Sequence, residues 1–273
     1  MPSPRPNPWD AAFLAVSLAR YDLAELIEPD RHFAWLDDLA TLGVTVTEGV
    51  PRDRSGLTAV ADLIGIMESN NYGIDWDIVS TADPFNQVDS DLPLRVHSDL
   101  PYRRLPPGFQ VLLAAEASAE GGETLLVDGY RLSARIQEDD PDAWATLTTV
   151  DRAFSYIRPE QRYIGGGPIV GLDAEGAPDV IRHAPDLVLP VRDGDGAAAD
   201  RALEIFVSTA ASAELEFRIR LEPGQALTVN NHRVLHGRGP VDLGTGERRL
   251  LGCYIGSDEF ASARRVLERD LGS

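Results

Sequence analysis

Apolar positions recur every three or four residues through much of the first quarter of the chain, a spacing that predicts helices. Asp10 to Ala19 and His32 to Leu42 both carry it, each closing near a polar or glycine break. A third stretch, Leu57 to Ser69, sets Val60, Leu63, Ile64 and Met67 on one helical face and stops at Asn70-Asn71. From about Gly73 the pattern changes to short apolar runs cut by Gly, Pro and Asp. These are Leu92 to His97, Phe109 to Ala114, Thr124 to Val127, Ile181 to Arg182, Leu187 to Val191, Phe217 to Leu221, Ala226 to Val229 and Leu250 to Ile255. Many short strands of this kind predict a β-sandwich or barrel. Helices are expected to interrupt it at about Arg131 to Glu138, Asp142 to Thr148 and Ala197 to Ala213. A closing helix is expected from Asp258 to Leu271, with arginines toward the end where cations complement the helix dipole.

No repeat, low-complexity tract or linker divides the chain. The expectation is therefore one domain, 1–273, mainly β with flanking helices. It comprises a helical N-terminal part at about 8–70, a β core at about 73–256 and a C-terminal helix at about 258–271.

Charge narrows the function. The 273 residues include 25 basic and 44 acidic ones, a formal net charge of −19, with no basic run to compensate, which argues against nucleic-acid binding. Every basic residue is arginine, so Schiff-base and pyridoxal-phosphate chemistry and a phosphate-loop lysine are excluded. The single cysteine, Cys253, permits no internal disulfide and no cysteine-based structural zinc site, and a reducing cytosol fits best. No apolar run approaches the roughly 20 residues of a membrane helix. The apolar patch in MPSPRPNPWDAAFLAVSLAR is too short and badly flanked for a signal peptide. A cytoplasmic protein with a small-molecule substrate is expected, with no nucleic acid and no membrane as partner, and a homodimer is left open.

Five histidines are few enough to take singly: His32, His97, His183, His232 and His236. His97-Ser98-Asp99 closes a predicted strand, where side chains at i and i+2 project to one face, so an imidazole and a carboxylate can converge. His236 follows another predicted strand, in Asn230-Asn231-His232-Arg233-Val234-Leu235-His236-Gly237-Arg238. Two histidines and a carboxylate on neighbouring strands make the facial triad of non-haem Fe(II) oxygenases, which leaves coordination positions open. An HxD triplet alone is far more often merely a polar strand end. His232 would be a surplus fourth group with a structural role, and His32 a partly buried helix residue.

The company of that triplet is more specific. The segments HSDLPYRRLPPGFQ, GGETLLVDG and NNHRVLHGRGP…GERRLLGCY together resemble the γ-butyrobetaine hydroxylase branch of the taurine-dioxygenase-like superfamily, over roughly Trp9 to Leu267. The resemblance implies a double-stranded β-helix (jelly-roll) core, Fe(II) as cofactor, and 2-oxoglutarate and O2 as cosubstrates. It implies that His97, Asp99 and His236 hold iron, that Thr124 of the GGxT motif gives a hydroxyl to 2-oxoglutarate, and that Arg248 of R-x-L-x-G-x-Y pairs with its distal carboxylate. A planar guanidinium matches a carboxylate bidentately. Arg248 shares a strand face with Leu250, Gly252 and Tyr254, whereas the adjacent Arg249 would point the other way.

The same branch holds a trimethylammonium in an aromatic cage by cation–π attraction. Tyr72, Trp76 and Tyr254 match cage positions, and Asp89 stands where the branch usually has a fourth aromatic. A carboxylate there accepts a hydrogen bond from an ammonium that keeps an N–H, so such an amine is expected over a quaternary one. Asn86 matches a polar substrate-contacting position, but the branch's IRFN asparagine is missing from Ile181-Arg182-His183-Ala184-Pro185. The leading expectation is a hydroxylase of an unactivated C–H in a small cationic or zwitterionic amine, betaine- or amino-acid-like. One alternative is an oxygenase of a small sulfonate or phosphonate gripped by Arg182, Arg95 or His183. The other is a non-catalytic metal- or ligand-binding β-barrel.

Overall fold

The computed structural model describes residues 5–81, 90–191, 194 and 196–272. Two sheets face each other. The larger has six strands, in the order Arg20–Asp22, Val44–Glu48, Ala226–Asn230, Phe109–Ala117, Arg248–Ile255 and Asp75–Val79. The smaller has four: Phe217–Ile219, Thr124–Asp128, Val234–Arg238 and Leu94–His97. Neighbours within both sheets run antiparallel except the outermost pair, Arg20–Asp22 with Val44–Glu48, which is parallel. This is the jelly roll that the sequence leads one to expect.

The period-2 alternation of a strand explains what each face carries. In Phe109–Ala117, residues Phe109, Val111, Leu113 and Ala115 point outward, into a cluster with Trp35, Leu36, Leu39, Leu57 and Val60. Gln110 and Leu112, between them, point inward and line a cavity. In Arg248–Ile255, Leu251, Cys253 and Ile255 join the outer cluster while Arg248, Leu250 and Tyr254 face the cavity. The smaller sheet repeats the rule. Val96, Leu125, Val127 and Leu235 pack outward against the helices Gly129–Asp139, Pro141–Thr149 and Gly196–Ala210. Arg95, His97, Thr124, His236 and Arg238 are left facing inward. Apolar packing thus covers both outer faces, each fully buried Leu, Ile or Phe contributing about 1.5–3 kcal/mol, and the chemistry sits between the sheets.

Local signals set the helices that do this covering. Pro29–Leu42 begins with proline at its first turn, buries Trp35, Leu36, Leu39 and Leu42 at helical spacing, and ends at Gly43, whose φ of 76° only glycine adopts freely. Asp128 ends a strand and caps the next helix, accepting from the Tyr130 amide at 3.0 Å. Among the described residues no helix is long and apolar enough to cross a membrane.

Several sequence expectations are corrected. The supposedly helical first part carries two strands of the larger sheet, Arg20–Asp22 and Val44–Glu48. The β-branched run VTVTE was the signal for the second. The third helix is Arg54–Asp62, displaced toward the Asp53 cap, which accepts from the Ser55 and Gly56 amides, and it stops before Gly65. Leu187 to Val191 forms no strand beyond an isolated bridge between Val188 and Phe154. His236 lies within a strand, not after one. A hairpin, Asp151–Arg158 with Gln161–Pro168, was not anticipated because three glycines interrupt its second strand.

Candidate active site

Ligand atoms of His97, Asp99 and His236 all lie within 4.8 Å of one another. The two histidines are directly opposed across antiparallel strands, with ring centroids 4.6 Å apart. That close pairing needs Gly237, where a Cβ would come within 2.6 Å of the Leu94 carbonyl oxygen at the bulge beside His97. Asp99 does not share the strand face by alternation, because the strand ends at His97. A turn carries it back, with Leu100 in the left-handed region at φ 52°, a strained conformation for a leucine. Asn231 secures the turn: its Oδ1 accepts from the Asp99 amide at 2.7 Å and its Nδ2 donates to the Asp99 carbonyl at 3.1 Å.

The electrostatics suit a divalent cation. One Asp99 oxygen is 3.4 Å from His97 Nε2, and the other is 3.4 Å from His236 Nε2. Burial alone would raise the Asp99 carboxyl, but His236 and His97 outweigh it and hold it well below the usual range. Burial likewise opposes charge on His97, yet Asp99 raises that imidazole above its ordinary value. His97 Nδ1 donates to the Arg95 carbonyl at 2.9 Å, which leaves the Nε2 lone pair facing the cluster. Gln110, which sequence reading missed, donates from Nε2 to Asp99 Oδ2 at 2.5 Å. It pairs with Tyr254 across neighbouring strands, a relation legible only once the register is known.

Arg248 and Thr124 enter the same cavity from opposite sheets. Arg248 is 8% exposed, and its guanidinium has no hydrogen-bond or ion-pair partner among the described residues. Burial, with the neighbouring Arg238, pushes its guanidinium down to about 10. An unpartnered buried cation is costly, and an anion in the cavity would relieve it. Gly122, at φ 70°, makes room, since a Cβ there would lie 2.9 Å from Arg248 Cδ. Arg249 turns outward to Asp77 at 2.7 Å, as strand alternation requires.

The cavity measures about 550 Å³. Tyr72, Trp76 and Tyr254 come together on its wall, with ring centroids 6.3 Å apart for Tyr72 and Trp76 and 4.4 Å for Trp76 and Tyr254. Tyr156 extends the wall, 5.8 Å from Tyr72 and 5.6 Å from Tyr102. Tyr156 belongs to the unanticipated hairpin, so nothing in the sequence connected it to the cage. Asn86 and Asp89 lie outside the described residues. His183 does not line the cavity; burial first, then His97 and Arg95, push its imidazole down to about 3. His232 Nε2 donates to the Pro106 carbonyl at 2.9 Å and is not among the grouped candidate ligands.

Comparison with known proteins agrees with this geometry. Residues 4–254 match the family model described as Taurine catabolism dioxygenase TauD, TfdA family. The gamma-butyrobetaine dioxygenase of Pseudomonas sp. (strain AK-1) is 31% identical over 257 residues, covering 93% of this chain and 67% of that one. A putative alpha-ketoglutarate-dependent taurine dioxygenase from Burkholderia xenovorans superposes with a TM-score of 0.69 at 14% identity, over 89% of this chain and 93% of its own. Asparagine oxygenase in complex with Fe(II), 2S,3S-3-hydroxyasparagine and succinate does so at 0.66 and 16% identity, over 84% and 79%. With the family match and the dioxygenase relatives, this jelly roll is an iron(II)- and 2-oxoglutarate-dependent dioxygenase. The chain belongs to the taurine catabolism dioxygenase TauD, TfdA family.

Proposed function

We propose that this dioxygenase hydroxylates an unactivated C–H of a small cationic or zwitterionic amine, with iron(II) held by His97, Asp99 and His236. Iron(II) with 2-oxoglutarate and O2 supplies an oxidant able to attack such a bond, with succinate and CO2 as the other products. The observation carrying the cosubstrate assignment is Arg248, a buried guanidinium without a partner among the described residues, facing the cavity that His97, Asp99 and His236 line. It would take the distal carboxylate bidentately, and the Thr124 hydroxyl would complete that carboxylate's hydrogen bonding.

The remaining residues orient and exclude. Gln110 donates to Asp99 Oδ2 and so fixes the orientation of that carboxylate. The aromatic wall offers ring faces to an ammonium and displaces water from the target carbon. The gamma-butyrobetaine dioxygenase resemblance supports a cationic amine as substrate.

Succinate release from amines differing only in N-methylation tests the substrate class, and the Asp89→Tyr variant tests the preference for a retained N–H. Amine-stimulated, iron-dependent succinate is the expected result; a panel in which no amine raises it above the amine-free rate overturns the reading. Iron titration of His97→Ala and His236→Ala tests the ligand set, with binding weakened more than about 100-fold in each. Unchanged affinity in both would dismiss it.

A further inference from the structure

Each candidate imidazole can give a metal one nitrogen, whereas the Asp99 carboxylate can bind through one oxygen or through both. Asn231 fixes only the backbone of Asp99, accepting from its amide at 2.7 Å and donating to its carbonyl at 3.1 Å. Rotation of the carboxylate about its own side-chain bonds is left to other groups.

Two neutral donors reach it from adjacent strands. Gln110 Nε2 donates to Oδ2 at 2.5 Å, and the Tyr254 hydroxyl donates to the same carboxylate. Gln110 and Tyr254 are direct cross-strand partners, and each is 3% exposed. A carboxylate accepts and cannot donate, so the NH2 group of Gln110 must face it and Oε1 must face away. That Oε1 is buried and has no partner among the described residues. If Oδ2 swung toward a metal, Nε2 would lose its acceptor too, and a buried amide would be left unpaired at both ends.

Tyr254 is held as firmly. Trp76 packs against its ring, with centroids 4.4 Å apart, and Trp76 is itself seated over Gly252, where a Cβ would lie 2.7 Å from Nε1. The other tyrosines lining the cavity spend their hydroxyls elsewhere. Tyr102 donates to Asn71 Oδ1 at 3.2 Å, and the Tyr72 and Tyr156 hydroxyls hydrogen-bond each other. Among the described residues, Tyr254 is thus the aromatic-wall residue that hydrogen-bonds a candidate ligand.

We propose that Gln110 and Tyr254 are positioning residues that restrict Asp99 to binding the metal through Oδ1 alone. The proposal rests on the ligand set proposed above and adds how many positions that set fills. A carboxylate bound through both oxygens would take one of the positions that two histidines and a carboxylate otherwise leave open for 2-oxoglutarate and O2. The two donors keep that position free. Tyr254 then has two tasks, its ring for the amine and its hydroxyl for the ligand.

The test counts the waters on bound Mn(II), from the broadening of its paramagnetic resonance by water enriched in the magnetic isotope of oxygen. Gln110→Leu/Tyr254→Phe should carry one water fewer than wild type, and each single variant should fall between. The same difference should persist when N-oxalylglycine is added. Asn231→Ala is the control for a structural role: Mn(II) affinity should fall about 10-fold while the water count stays that of wild type. In turnover with Fe(II), Gln110→Leu should lower kcat about 10- to 100-fold and leave KM for 2-oxoglutarate within about threefold. Equal water counts in wild type and all three Gln110 and Tyr254 variants would overturn the proposal and leave the ligand set standing. If the double variant is too unstable to bind Mn(II), the single variants decide, and wild-type counts in both overturn it. Wild-type protein that binds no Mn(II) would bring down the ligand set and this proposal together.

Discussion

Two of the buried arginines, Arg233 and Arg248, live under opposite conditions. Arg233, 1% exposed, is fully satisfied: it makes two hydrogen bonds to Asp128, at 2.9 and 2.8 Å, and donates to the carbonyls of Thr41 and Asn7 at 2.7 and 2.8 Å. Asp128 accepts from the Trp9 amide as well, at 2.9 Å, so this end of the barrel is closed by its own chain. The guanidinium of Arg248, 8% exposed, has no such partner among the described residues and faces the open cavity. The difference separates a buried charge that belongs to the fold from one that belongs to a ligand. Burial alone does not distinguish them; hydrogen-bond satisfaction does.

Substitutions at the two sites should therefore fail in different ways. Arg233→Ala strands the Asp128 carboxylate and should cost about 3–5 kcal/mol of stability by chemical denaturation, with or without 2-oxoglutarate. The double variant Asp128→Leu/Arg233→Met should recover much of that loss. A double variant as unstable as the single one would mean that the ion pair itself, not the stranded charge, carries the energy. Arg248→Ala should leave the melting temperature unlowered while weakening 2-oxoglutarate by roughly 30- to 1,000-fold, about 2–4 kcal/mol, read by titration of the cosubstrate. A large drop in stability there would erase the contrast. Thr124→Val removes one hydroxyl and should cost about 1 kcal/mol, near fivefold in cosubstrate affinity. Arg249→Ala, which loses an exposed pair with Asp77, should alter stability by under about 1 kcal/mol and cosubstrate affinity not at all. The reverse ranking of Arg248 and Arg249 would mean that their strand faces are exchanged.

The sequence disclosed the inward-facing residues well wherever alternation was uninterrupted. In RRLLGCYI the choice of Arg248 over Arg249 rests on the face it shares with Leu250, Gly252 and Tyr254 and on its fit to the family motif, and the structure has Arg248 inward and Arg249 outward. It disclosed less where geometry depends on partners distant in the chain. Gln110 orients Asp99 only because the Phe109–Ala117 strand lies beside Arg248–Ile255 in one particular register. Asn231 holds the Asp99 turn from 132 residues away. Tyr156 reaches the aromatic wall on a hairpin whose glycine-rich second strand carries little β signal. Val44–Glu48 was obscured differently: its helical neighbours in sequence drew a correct local pattern over a segment that belongs to the sheet.

The closure around Asp128 also has a consequence in time. The Arg233 guanidinium reaches the Asn7 carbonyl across a separation of 226 residues, and Trp9 cannot anchor until the Asp128 strand exists. During synthesis, the segment around Asn7 must wait until nearly the whole barrel has left the ribosome before its partner arrives. Until then Asp128 stays solvated and the neighbouring strand edges stay unpaired, an interval in which aggregation competes with folding. The contacts that close this end of the barrel thus join parts of the chain made at opposite ends of synthesis.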